Sequence, residues 1–253
     1  MFAKCFILLS AATLLLAHNA PFRGIIGGEN ISIEDTPWQV SLQGPSHFCG
    51  GSIYSERIII TAAHCVNRAK AENLKIRAGA SKHNGVDGVL VQVAKIKVHE
   101  DYENLGSDVA LLLLSSPLDL KSSNKVKSIE LAKQSPAVGA ESLVSGWGST
   151  SEHSGSPDVL QGAYVNIVDY NVCKKQYSVL GLEITEDMIC AAASGKDSCR
   201  GDSGGPLVVD QELVGVVSWG YGCAREHFAG VYANVAVLRS WIVNEAAKLT
   251  YLN

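Results

Sequence analysis

The chain predicts an all-β molecule closed by one terminal helix, and three observations carry that reading. Apolar runs of strand length recur: residues 37–42 and 88–94 alternate apolar with polar, and residues 212–219 form a run bounded by turn residues. Gly- and Ser-rich turns punctuate the chain, as in Gly146-Trp147-Gly148-Ser149 and Ser154-Gly155-Ser156-Pro157. Near the C-terminus Val237, Leu238, Trp241 and Ile242 fall at helical spacing, with Glu245 and Lys248 outside the stripe, which predicts a helix docked on the sheets. Short strands with a terminal helix fit either a pair of β-barrels or a single sandwich.

The elements divide the chain as follows. Residues 1–17 read as a secretory signal: Lys4 supplies the positive start, residues 6–16 are apolar apart from Ser10 and Thr13, and Ala17 offers a small residue for cleavage, with Ala20 a second choice. That stretch is too short to span a bilayer, and the later apolar runs Ile58-Ile59-Ile60 and 111–114 have only strand length. A secreted, extracellular protein is expected, with no membrane partner. Removing residues 1–24, which carry Lys4 and Arg23 and no acid, moves the formal charge from −4 to −6 and leaves one large unit without a basic stripe. This argues against a nucleic-acid partner. Of the seven cysteines, Cys5 leaves with the signal. The remaining six, Cys49, Cys65, Cys173, Cys190, Cys199 and Cys223, belong to an oxidising compartment and can pair in 15 ways. No tight Cys-x-x-Cys pair favours zinc.

The densest chemistry lies in Gly201-Asp202-Ser203-Gly204-Gly205-Pro206. A serine among glycines sits where the backbone can turn sharply and flanking N–H groups can face a substrate, as a nucleophile with an oxyanion hole requires. Upstream lie Thr61-Ala62-Ala63-His64-Cys65 and Ser107-Asp108-Val109-Ala110-Leu111-Leu112. Taken singly, His64 reads as a half-buried histidine, Asp108 as a strand-start turn residue and Ser203 as a turn serine. Their joint occurrence, in the order His, Asp, Ser, favours chemistry. Gly-x-Ser-x-Gly also marks the nucleophile elbow of α/β-hydrolases, but that fold needs its acid and histidine after the serine. Only Asp210 and His227 follow, with no βαβ alternation before them.

These motifs, with Ile25-Ile26-Gly27-Gly28, Cys49-Gly50-Gly51-Ser52, Gly146-Trp147-Gly148, residues 197–206 and Ser218-Trp219-Gly220, resemble the chymotrypsin/trypsin family of serine endopeptidases from Ile25 to the C-terminal helix. Within it the chain looks similar to invertebrate digestive trypsins, the mite group among them. The resemblance implies two packed six-stranded antiparallel β-barrels with a C-terminal α-helix, the N-terminal barrel over about 25–130 and the C-terminal one over about 131–253. It implies a signal peptide 1–17, an activation peptide 18–24 and a protease domain 25–253. Ser203 is then the nucleophile, His64 the base and acid, Asp108 the group that orients His64, and the N–H groups of Gly201 and Ser203 the oxyanion hole. Asp197 becomes the floor of a pocket for Arg or Lys, walled by Gly220 and Gly230 with a hydroxyl from Ser198. Ser218, Trp219 and Gly220 align the substrate backbone. The implied disulfides are Cys49–Cys65, Cys173–Cys190 and Cys199–Cys223.

The resemblance further implies that cleavage before Ile25 frees an ammonium that pairs with Asp202. Here the chain departs from the pattern, because Gly24, not a basic residue, precedes Ile25, and Arg23 lies one step earlier. Cutting after Arg23 leaves the ammonium about 3.5 Å too far along, so a different activating protease is expected at Gly24–Ile25. Arg200 stands where glutamine is common and reads as a solvated rim residue. Ala229 replaces the usual proline or tyrosine, which argues against a sodium site. The loop Ala80-Ser81-Lys82-His83-Asn84-Gly85, even with Asp87, lacks the oxygens a calcium ion wants. No metal or cofactor is expected. Asn30-Ile31-Ser32 is a glycosylation sequon. The sequence thus predicts a monomeric, secreted, digestive serine endopeptidase made as a zymogen, acting on proteins and peptides and open to protein inhibitors. The competing reading is a protease-shaped binding protein without activity.

Overall fold

A computed structural model describes residues 25–251 apart from 104 and 152–154. The signal and activation peptides and Gly24 lie outside the described residues. In chain order the strands are β1 (Glu29–Asn30), β2 (Gln39–Gln43), β3 (His47–Ile53), β4 (Ile58–Thr61), β5 (Lys75–Ala78), β6 (Val89–Val98), β7 (Ala110–Leu114), β8 (Glu130–Leu131), β9 (Glu141–Gly146), β10 (Gln161–Val168), β11 (Met188–Ala192), β12 (Pro206–Val209), β13 (Glu212–Trp219) and β14 (Gly230–Asn234). The α-helices are α1 (Ala63–Val66), α2 (Tyr170–Ser178) and α3 (Val235–Tyr251).

Strands β2-β3-β4-β7-β6-β5 close one antiparallel barrel. A second ring runs β10-β11-β14-β13-β12-β9 and closes where β9 pairs β10. The two-barrel arrangement, not the sandwich, is the fold. The N-terminal strand β1 joins the second barrel through β10, and β8 lies parallel to β13.

The continuous apolar runs have a physical reason in this packing. In β4 and β7 the residues alternate between two buried environments instead of between core and water. Ile59, Leu112 and Leu114 point into the first barrel. Ile58, Ile60, Leu111 and Leu113 pack outward against Leu213 and Val216 of the second barrel and Leu238 and Ile242 of α3. The barrels therefore share an apolar seam, and α3 seals it.

Two sequence expectations change. The buried stripe of α3 is Val235, Leu238, Ile242 and Ala246, while Val237 is 53% exposed. Spacings of three and four residues keep one face inward, and Val237 falls off that face. Helix α2 was not anticipated. Its signal is Asp169, whose carboxylate accepts from the Asn171 and Val172 amides as an N-cap.

Candidate active site

Strand register brings the first two site residues together. Thr61 at the end of β4 pairs Ala110 at the start of β7. His64 follows three residues past that pair and Asp108 precedes it by two, so both emerge at the same end of the first barrel. Asp108, only 1% exposed, is reached twice by His64: the backbone N–H donates to Oδ1 at 2.9 Å and Nδ1 to Oδ2 at 2.7 Å. A carboxylate only accepts, so Nδ1 carries the proton and Nε2 is left with a lone pair. Ser218 Oγ donates to the same Oδ2 at 2.5 Å. The sequence reading placed Ser218 among the residues that align the substrate backbone; its side chain in addition steadies Asp108, a link across 110 positions that no local motif reveals.

Ser203 comes from the second barrel, in the loop between β11 and β12. Its carbonyl accepts from the Gly50 amide at 2.7 Å, and Thr61 Oγ1 donates to the Gly50 carbonyl at 2.8 Å. Gly204 fits here because a Cβ would lie 2.2 Å from Thr61 Oγ1, and its φ of +79° disfavours side chains. Cys65 Sγ sits 3.7 Å from both His64 Nε2 and the Ser203 carbonyl oxygen. Among the described residues Ser203 Oγ makes no hydrogen bond to His64 Nε2. The Asp108–His64 link is thus formed and the serine is held beside it.

The amides of the nucleophile loop fall into two sets. Those of Asp202, Gly204 and Gly205 donate inward, to Cys199 O at 3.0 Å, Val217 O at 2.8 Å and Asp202 O at 2.8 Å. The amides of Gly201 and Ser203 have no acceptor among the described residues.

Beside Ser203 opens a cavity of about 420 Å³, with Asp197, Ser198, Trp219, Gly220 and Gly230 in its wall. Asp197 is 7% exposed, and burial pushes its carboxyl up to about 6, against the opposing hydrogen bonds from Ala224 and Ser198. Ala224 N donates to its Oδ2 at 2.8 Å. A Cβ on Gly230 would come within 2.7 Å of Asp197 Oδ1, so glycine there keeps the acid reachable. Arg200 and Arg225 also line the cavity. Arg225 escaped the sequence reading; its one signal is its place two residues after Cys223. The Cys199–Cys223 disulfide ties the two sides of this cavity together, while Cys49–Cys65 lies under His64 and Cys173–Cys190 joins α2 to β11. The atoms of Cys49, Cys65 and His64 lie close enough to suggest a metal cluster, but the two sulfurs are spent on each other.

The segment at Ile25 and Ile26 is tied to this pocket. Ile25 is fully buried, and Asp197 N donates to Ile26 O at 3.2 Å. Asp202 is also fully buried and accepts from Gly148 N at 2.7 Å and Cys199 N at 2.9 Å. Burial pushes its carboxyl up to about 7 despite those two donors.

A two-barrel protein with an Asp-oriented histidine, a glycine-flanked serine and an acid-floored cavity defines a class, and comparison with known proteins identifies it. Residues 25–242 match the family model described as Trypsin. Trypsin beta of Drosophila erecta is 50% identical over 254 residues, covering 96% of this chain and 99% of that protein. Trypsin alpha of Drosophila melanogaster is 49% identical over 96% and 98%. Hypodermin-B of Hypoderma lineatum is 50% identical over 226 residues, 88% of this chain and 87% of that protein. The chain belongs to the trypsin family and is a trypsin-like serine endopeptidase, a hydrolase acting on proteins and peptides. These relatives lend nothing to the mite resemblance.

Proposed function

We propose that this endopeptidase cleaves after Arg and Lys, with Ser203, His64 and Asp108 as its catalytic residues. The observation that carries the specificity is Asp197, a buried carboxylate at a cavity that also touches Ser203. Leaving such a charge unpaired costs about 3–5 kcal/mol, which an incoming guanidinium or ammonium offsets. The unprotonated Nε2 of His64 takes the proton of Ser203 Oγ as the oxygen adds to the scissile carbonyl. Asp108 stabilises the imidazolium that results, and the Gly201 and Ser203 amides receive the oxyanion. Collapse of the adduct passes the proton to the leaving amine and leaves an acyl-enzyme, which water then hydrolyses. The serine–histidine link closes as substrate binds, since such bonds are often loose in the free enzyme.

The enzyme is made as a zymogen. Asp202, buried with two amide donors, is suited to an α-ammonium at Ile25. The activating enzyme is not trypsin-like, because Gly24 occupies the position before the cut. Secretion is supported by the signal-like start and by three disulfides. No helix among the described residues is long and apolar enough to cross a membrane. A single chain supplies every group of the site, which supports a monomer, and a digestive role rests on the likeness to trypsins. Protein inhibitors presenting Arg or Lys fit the same cavity.

Processed enzyme starting at Ile25 is expected to hydrolyse Arg- and Lys-amide chromogenic peptides and to spare Phe-amides, and Ser203→Ala to abolish turnover. Faster cleavage after Phe than after Arg would refute the specificity. Incubating the proform with trypsin and sequencing the new N-terminus tests the activation route; full activity with Gly24 first would overturn it.

A further inference from the structure

We infer that His47 is a positioning residue for the oxyanion hole, acting through the carbonyl of Gly201. His47 lies at the start of β3, in the first barrel, yet its Nε2 sits 3.0 Å from Gly201 O in the nucleophile loop of the second. A carbonyl only accepts, so Nε2 carries a proton. The other nitrogen, Nδ1, then accepts from Ser41 Oγ at 2.9 Å, and Ser41 Oγ accepts from Gln43 Nε2 at 3.1 Å. Gln43 is itself fixed by donating to the His83 carbonyl at 2.7 Å. The donors run one way, Gln43 to Ser41 to His47 to Gly201, and one tautomer satisfies every link. The ring is held by packing as well: the centroid of His83 lies 5.0 Å away and that of the buried Trp147 5.7 Å away, edge-on. Burial, and next the neighbouring His83, push the His47 ring down to about 4, so it is neutral over the working range.

The peptide between Gly201 and Asp202 is the middle one of three. The amides of Gly201 and Ser203 stand on either side of it. Its own N–H, that of Asp202, donates to Cys199 O at 3.0 Å, and its carbonyl is the group His47 holds. With its N–H and its carbonyl both pinned, this peptide plane resists rotation, and it fixes the two peptide units on either side that carry the Gly201 and Ser203 amides. Without His47 the Gly201 carbonyl is free to swing, and Gly201 at φ +99° has no side chain to resist it. Nothing in the sequence around His47 signals this role, because its target lies 154 positions away.

The inference rests on the catalytic reading above, and the experiment separates the two. In processed enzyme, His47→Phe keeps a ring against Trp147 and His83 but deletes the donor. It is expected to lower kcat about 10- to 100-fold, at or below the loss seen on removing an oxyanion donor outright, with KM within about threefold of wild type. A peptide boronic acid, which forms a tetrahedral adduct on the serine, should lose affinity by a similar factor, while benzamidine, which fills only the Asp197 cavity, should keep its Ki. His47→Gln, which returns an N–H at similar reach, should restore most of the loss. If His47→Phe fails to fold, Ser41→Ala carries the test, with the same split between boronate and benzamidine expected at smaller size. Unchanged kcat and boronate affinity would overturn the inference, as would equal loss of both ligands, which marks a general collapse. Wild-type enzyme that neither turns over substrate nor binds the boronate would sink the catalytic reading first, and this inference with it.

Discussion

Asp197 and Asp202 stand five residues apart on one loop and are both carboxylates pushed upward by burial, but they ask for different partners. Asp197 lines the cavity, and on the proposed specificity its charge partner is the substrate's Arg or Lys. Benzamidinium needs the ionised acid, and protons compete for it. Its Ki is therefore expected to be flat above pH 7 and to rise as the pH falls through about 6, measured by inhibitor titration on processed enzyme. A Ki constant down to pH 5 would contradict this. Asp197→Ser should lower kcat/KM for Arg-amide substrates by roughly 10²- to 10³-fold, the size of a lost buried charge pair, with activity on Phe-amides little changed. At this scale the sequence was most legible. His64, Asp108, Ser203 and Asp197 each sit in a compact motif whose residue types the chemistry dictates. Ser218 on Asp108 and His47 on Gly201 were illegible, since each contact depends on which strands pair and in what register, and Arg225 at the cavity had only its place beside Cys223 to signal it.

At the level of the element, the β4–β7 register is what turns two distant motifs into one hydrogen-bonded pair, and the nucleophile loop must then be pressed against the end of β4. Gly204 marks the point of contact. Gly204→Ala would set a methyl 2.2 Å from Thr61 Oγ1 and 2.6 Å from Gly50 O at a left-handed φ. A loss of about 2–3 kcal/mol is expected in urea unfolding, with activity falling more than stability because Ser203 moves with its neighbour. Replacing Cys199 and Cys223 by alanine should cost about 3 kcal/mol for a loop of this length, and should raise KM for Arg substrates as the cavity walls part. The strand runs and the terminal helix were readable from periodicity. The one-turn helix α1, the capped helix α2 and the buried face of α3 were less so, because a single N-cap or an off-stripe valine is a weak signal beside a long apolar pattern.

For the molecule as a whole, the site exists only where two closed sheets meet, with His64 and Asp108 on one and Ser203 and Asp197 on the other. Ring closure was not legible from alternation alone, because it depends on pairings such as β9 with β10 that no local pattern encodes; the family motifs supplied it. The same scale governs activation. With Ile25 still in amide linkage, Asp202 keeps a carboxyl near 7 in the fold against about 4 unfolded. The folded proform then holds a proton that the unfolded chain has released, and its stability falls as the pH rises from about 4 to 7. The loss levels off above pH 7 at roughly 4 kcal/mol. On the proposed activation route, an ammonium at Ile25 would lower that carboxyl and remove the loss. Thermal unfolding is thus expected to show the proform weakening from pH 5 to pH 8 relative to the processed enzyme; parallel curves for the two would contradict the pairing.

The interior seat of Ile25 also decides how this protein can be handled. If activation runs through an Ile25 ammonium as proposed, any affinity handle or fluorescent fusion placed directly ahead of Ile25 turns that amine into a neutral amide, and labelled enzyme of that design should be inert even when perfectly folded. At the far end of helix α3, Tyr251 is 88% exposed and offers a freer attachment point.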